Sequence, residues 1–166
     1  TAGGVARYDG EQFTTLTQQD GLVANYVNDI LFARNGDIWF GTANGLSRYD
    51  GKTFTNFTTQ DGLPYSYIYR LAEDDEGDLW LGHGYSLGDG VGLTRFDGKS
   101  FLNYRPSDGL VGNRVLAVHC FRGAVWVATE GGVARYDDRT LISFSQRDGR
   151  AGEWSGSIKC APDGTV

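Results

Sequence analysis

The chain has 166 residues, enough for one domain that buries about 70% of its unfolded surface. Its 21 acidic against 15 scattered basic residues, with a net charge of −6, exclude a face built to neutralise nucleic-acid phosphates, and no run of about 18 apolar residues spans a membrane. The 25 Gly, 9 Tyr, 9 Phe and 4 Trp, beside only 3 Pro, point to many short strands joined by tight turns.

In chain order the first recognisable segment is Gly4–Gly10, GVARYDG, which reads as a strand running into an Asp-Gly turn. Asp20-Gly21-Leu22 follows as a polar connection. Tyr26 to Ala33 and Asp37 to Gly41 are rich in β-branched and aromatic residues, and Asn35-Gly36 between them marks a hairpin. Gly45 to Tyr49 and Lys52 to Thr58 form a second pair around Asp50-Gly51, expected to be a two-residue turn with both central residues at positive φ.

The pattern then repeats. The GVARYDG segment returns at Gly45 (GLSRYDG), Gly92 (GLTRFDG) and Gly132 (GVARYDD), at spacings of 41, 47 and 40 residues. The Asp-Gly-Leu landmark returns with the same spacings at Asp61, Asp108 and, as Asp-Gly-Arg, Asp148. Trp39, Trp80 and Trp126 make a third landmark in phase with these. Four short strands per repeat of about forty residues, with no helical period, specify an all-β fold: a β-propeller array of four-stranded antiparallel blades, with about four repeats in this chain. The repeats run approximately 1–25 (a half blade and its loop), 26–66, 67–112, 113–152 and 153–166 (a half blade), within one array over 1–166.

The segment GLSRYDGKTFTNFTTQDGL (Gly45–Leu63), followed by EGDLWLG (Glu76–Gly82), resembles the two-component-regulator propeller repeat. The resemblance covers essentially the whole chain. It implies the extracytoplasmic sensor part of a bacterial hybrid histidine kinase or related signalling protein, located in the periplasm or outside the cell. Its motifs encode blade packing more than ligand identity.

Met is absent and the chain opens at Thr1, which reads as a processed or excised segment. Thr1–Arg7 matches Thr129–Arg135, and Gly164-Thr165-Val166 matches Gly123-Ala124-Val125, so the chain opens in the second half of one blade and stops in the first half of another. Two readings follow: a piece of a longer ring, or half blades that pair within one chain or between copies.

Within a blade the first-to-second and third-to-fourth turns share one end, which here carries only tight turns. The opposite end carries the variable loops, where function is usually placed on a repeated scaffold. The largest departure is His83–Val91, where six extra residues enter a second-to-third connection. The ligand-binding residues expected at this end are Asn25, Tyr65, Tyr67, His83, Tyr85, Asp89, Asn113, Arg114, Glu153 and Trp154. Aromatic, amide and guanidinium groups of this kind stack on and hydrogen-bond sugar rings, so a carbohydrate or other small ligand is the expected class.

No cofactor or metal is implied. Arg7, Arg48, Arg95 and Arg135 recur mid-strand in every copy, which reads as scaffold, each reaching a carboxylate or loop carbonyl in the same or next blade. Glu73–Asp78 lacks the distal bidentate Glu of a calcium loop and is expected to be a solvated acidic turn. Cys120 and Cys160 fall at equivalent repeat positions and are expected as buried thiols. The expected function is a non-enzymatic ligand-sensing propeller. The alternatives are a self-assembling structural propeller whose half blades complete a ring between copies, and a propeller lyase or hydrolase using His83 with Tyr85 or Asp89. The partners implied are further blades of the same or a second chain, with no nucleic acid and no membrane segment in this chain.

Overall fold

A computed structural model of the chain describes residues 2–84, 92–137, 140–149, 157–159 and 161. They fall into two compact units, Thr1–Ile68 and Tyr69–Val166.

The first unit opens with a two-stranded sheet, β1 (Val5–Tyr8) and β2 (Phe13–Leu16), and continues into a four-stranded sheet of β3 (Val27–Phe32), β4 (Ile38–Thr42), β5 (Gly45–Tyr49) and β6 (Phe54–Phe57). The second unit holds two four-stranded sheets. One is β7 (Arg70–Glu73), β8 (Leu79–Gly82), β9 (Leu93–Phe96) and β10 (Phe101–Tyr104); the other is β11 (Val115–Phe121), β12 (Ala124–Thr129), β13 (Gly132–Asp137) and β14 (Thr140–Phe144). Every strand pairs antiparallel with its neighbour in sequence, the meander of a propeller blade. The strands sit where the Trp and Arg-Tyr-Asp landmarks put them, and register aligns those landmarks: Trp39 lies opposite Arg48, Trp80 opposite Arg95, and Trp126 opposite Arg135.

The Asp-Gly-Leu landmark has a different task at each letter. Thr17, Thr58, Arg105 and Ser145 precede short 3₁₀ turns, and the Asp three residues later accepts from their backbone N–H at 2.8–2.9 Å. The glycine takes positive φ at Gly21, Gly62 and Gly109, a conformation that strains any residue with a Cβ. Leu22, Leu63 and Leu110 are then turned into the interior, each 3% exposed or less. The same connection latches to the following sheet. In the first unit Asn56 Nδ2 donates to Gly21 O at 2.9 Å, and in the second Ser143 Oγ donates to Gly109 O at 2.6 Å. Each such bond contributes about 1 kcal/mol.

Leu22, Val27 and Phe40 form the first unit's core, with Val5, Ile38, Tyr49 and Phe54 packed against it. In the second, Trp80, Leu93, Leu110, Val115 and Val127 form the core, and half-buried Tyr104, Cys120 and Tyr136 close it. Cys120 is thus half-buried on β11, while Cys160 lies outside the described residues.

Two sequence expectations need correction. The Asp50-Gly51 turn is not a two-residue turn, and only Gly51 has positive φ. Tyr49 and Phe54 are the last paired residues, and the four between them are organised by Asp50, whose Oδ1 accepts from Lys52 N at 2.8 Å and Thr53 N at 2.7 Å. A side chain that closes its own turn removes the need for the primed geometry. That geometry appears instead at Arg122-Gly123, where Phe121 pairs with Ala124 and both turn residues have positive φ. The acidic turn is also not simply solvated. Asp74 is buried, accepting from Trp80 Nε1 at 2.7 Å, Asp78 N at 3.0 Å and Glu76 N at 3.1 Å.

Candidate functional site

Tight turns occupy one end of each sheet, and the segments expected to recognise a ligand gather at the other. In the first unit these are Val23–Tyr26 and Pro64–Tyr67. Asn25 works for the fold: its Oδ1 accepts from Gln18 N at 2.8 Å, and its carbonyl accepts from Gly4 N at 2.9 Å. Tyr67 donates to Asn28 Oδ1 at 3.3 Å, and Asn28 Nδ2 donates to Ile68 O at 2.8 Å. Tyr65 is half-buried and Tyr26 is exposed beside them in sequence.

The second unit brings three expected residues into one neighbourhood. Arg114 Nε donates to Gly84 O at 2.6 Å, and the Arg114 and Glu130 segments are clasped by Arg114 N to Glu130 Oε1 at 3.2 Å and Glu130 N to Arg114 O at 3.3 Å. Asn113 O accepts from Gly92 N at 2.9 Å. His83 lies between them: its N–H reaches Gly92 O at 3.2 Å, and its carbonyl accepts from Val115 N at 3.0 Å. The two ends of the inserted connection are therefore pinned to Asn113 and Arg114, the residues that lead into β11. Its middle, with Tyr85 and Asp89, lies outside the described residues, as do Glu153 and Trp154.

The His83 side chain is 1% exposed, and its Nε2 lies 2.9 Å from Thr94 Oγ1, which in turn donates to Asn103 Oδ1 at 2.8 Å. Asn113 Oδ1 is buried without a hydrogen-bond partner among the described residues, whereas most buried polar atoms have one. Glu130 and Thr94, which tie these residues together, did not stand out in the sequence. The only signal for them was their place beside Gly-rich second-to-third connections.

The four-fold arginines divide as their sequence context dictates. Arg48 Nε donates to Asp37 Oδ2 and Arg95 Nε to Asp78 Oδ2, each at 2.6 Å and each within its own sheet. Ala124 stands where Asp37 and Asp78 stand, two residues before the Trp, and Arg135 turns to Asp137 instead. Asp74, Glu76 and Asp78 bring carboxylate oxygens within 4.8 Å of one another at the tight-turn end. Asp74 is engaged by Trp80 and Asp78 by Arg95, so these oxygens already serve the fold.

Among the described residues no helix is long and apolar enough to cross a membrane. No curated protein matches the chain. Among solved structures, the chain is similar to the extracellular domain of BT3049 of B. thetaiotaomicron, assigned to a hybrid two component system, with TM-score 0.76 and 18% identity over 93% of this chain and 22% of that one. It is similar to the extracellular domain of BT4673 of the same organism, also assigned to a hybrid two component system, with TM-score 0.68 and 20% identity over 95% and 20%. It is similar as well to PorZ, a surface component of the type-IX secretion system of Porphyromonas gingivalis, with TM-score 0.66 and 20% identity over 95% and 25%. The chain spans about a fifth to a quarter of the length of these proteins, and at such identities the likeness shows the propeller fold. The family model described as two component regulator propeller matches residues 21–44 and 62–85.

Proposed function

We propose that this chain is ligand-recognising propeller from the extracytoplasmic part of a bacterial two-component-type receptor, with the loop-rich blade end as its recognition face and no catalytic role. The observation that carries the reading is the pinned cluster of Arg114, Asn113, Gly84 and Glu130 around the inserted connection. A repeated scaffold that departs from its own pattern, and then spends hydrogen bonds to hold the departure in place, is organised for more than packing. The similarity to extracellular domains of two component system proteins supports the location and the signalling context. The burial of His83 against Thr94 favours binding over a His-based lyase, since a general base must reach its substrate.

The ligand class proposed is a small, hydroxyl-rich molecule such as an oligosaccharide, for which planar guanidinium, amide and aromatic groups are suited. A thermal-shift panel of neutral and acidic oligosaccharides tests this. The expected result is a concentration-dependent rise in the midpoint with at least one class. Arg114→Ala should diminish that rise, and Glu11→Ala, in an exposed turn, should keep it. A flat response across the panel would refute the reading.

A further inference from the structure

The connection from β2 to β3 in the first unit and that from β10 to β11 in the second share one backbone frame, Thr17–Tyr26 and Arg105–Arg114. Asp20 and Asp108 each accept from the N–H of the residue that opens the turn at 2.9 Å, and Gly21 and Gly109 take φ of 110° and 100°. Leu22 N and Leu110 N donate to the carbonyl of that opening residue at 3.1 and 3.2 Å. At the far end Gly4 N donates to Asn25 O and Gly92 N to Asn113 O, both at 2.9 Å. Asn25 and Asn113 thus hold the same place on the same frame, yet their side chains differ in what they meet. Asn25 Oδ1 accepts from Gln18 N at 2.8 Å, whereas Asn113 Oδ1 is buried without a hydrogen-bond partner among the described residues. The residue at the place of Gln18 is Pro106, which has no N–H to give. Proline fits the first position of a helical turn without strain, so the frame is kept and only the donor is lost.

We infer, on the recognition role proposed above for this blade end, that Asn113 is a specificity-determining residue whose Oδ1 accepts a hydrogen bond from a ligand hydroxyl. A buried acceptor without a donor raises the free energy of the ligand-free chain, so a ligand that brings the donor gains more there than at a solvated amide. An amide oxygen only accepts, which excludes a carboxylate oxygen from this place and fits the hydroxyl groups of an oligosaccharide. A site of this kind rejects an analogue that lacks the donor, because the acceptor then stays unpaired. The backbone that carries the amide is held from both sides. Asn113 O receives Gly92 N, and the next residue, Arg114, donates through Nε to Gly84 O at 2.6 Å. In the first unit the corresponding oxygen is engaged by Gln18, so Pro106 marks the copy in which the amide is released from scaffold duty.

Pro106→Gln restores the missing N–H and is measured first without ligand, by amide hydrogen exchange at residue 106 in the 166-residue chain. The expected result is exchange about tenfold slower than in Pro106→Gln combined with Asn113→Ala, because the new N–H bonds to Asn113 Oδ1. Binding is then read by thermal shift with two probes, cellotetraose as a neutral oligosaccharide and tetragalacturonate as an acidic one. A probe that raises the midpoint of the unaltered chain should bind Pro106→Gln and Asn113→Ala each about tenfold more weakly. Exchange at residue 106 that is equally fast with and without Asn113 overturns the inference, since the acceptor would not lie at the place of its counterpart. Slowed exchange with undiminished binding overturns it as well, and would leave the acceptor to solvent. An unaltered chain that answers neither probe fails the recognition reading itself, and the role of Asn113 falls with it.

Discussion

Arg95 Nε meets Asp78 Oδ2 at 2.6 Å, and Arg48 Nε meets Asp37 Oδ2 at the same distance. The two pairs differ in their access to water. The Arg95 side chain is 26% exposed and that of Asp78 14%, whereas Arg48 is 42% exposed. Asp78→Ala should therefore cost about 1–3 kcal/mol, by leaving the half-buried Arg95 guanidinium with only the exposed Glu76 carboxylate, at 3.3 Å, as its acceptor. Asp37→Ala should cost about 1 kcal/mol or less, because solvent screens Arg48. Urea denaturation of the two variants checks the order, and equal losses would contradict it.

The Asp-Gly-Leu connection divides its contribution unequally among its three residues. Leu110→Ala should cost about 2–5 kcal/mol, because the side chain is nearly fully buried in the core beside Trp80 and Val115. Gly109→Ala should cost about 1–2 kcal/mol, through the positive φ of that residue. Thermal unfolding should rank Leu110→Ala below Gly109→Ala.

The outer turns set an acid limit on stability. Asp9, Asp50 and Asp97 each accept two backbone N–H groups in their own turns, and these bonds hold their carboxyls below the ordinary value of 3.8. Because the folded value is depressed, the stabilisation is fully present above the unfolded value and is lost as pH falls through the folded one. Stability should fall below about pH 4, and Asp50→Asn combined with Asp97→Asn should make that fall shallower. An unchanged acid slope would contradict the role given to these bonds.

At the alkaline end the reporter is Tyr104. Burial, with the hydrogen bond to Tyr136 adding to it, pushes its phenol well above the ordinary value of 10.0. Stability from the neutral form is present below the unfolded value and is lost as pH rises through the folded one. Ultraviolet titration should show a late-ionising tyrosine that disappears in Tyr104→Phe.

The sequence carried most of the fold, because the features that define a blade are local and recur in phase. Trp39, Trp80 and Trp126 mark the second strand and the Arg-Tyr/Phe-Asp run marks the third, while Thr-x-x-Asp ahead of Gly-Leu, at Thr17 and Thr58, caps a turn whose buried Leu the reading as a polar connection did not anticipate. What escaped it depends on turn length and distant partners. The partner of Arg135 changes because Ala124, two residues before Trp126, offers no carboxylate where Asp37 and Asp78 do. Asp74 looked like part of a solvated run, yet it is buried because Trp80 Nε1 needs an acceptor. Of the expected ligand residues, spacing alone placed His83, Asn113 and Arg114 at one blade end. It gave no warning that the His83 ring turns inward to Thr94, since burial there depends on the adjoining sheet.

Deuterium exchange with and without an oligosaccharide that raises the midpoint is the most direct test of recognition at the loop-rich end. Slowed exchange is expected to centre on 83–84, 92, 113–114 and 129–132, with the outer turns at 50–53 and 97–100 unchanged. Protection centred on those outer turns, or spread evenly over the sheets, would contradict it.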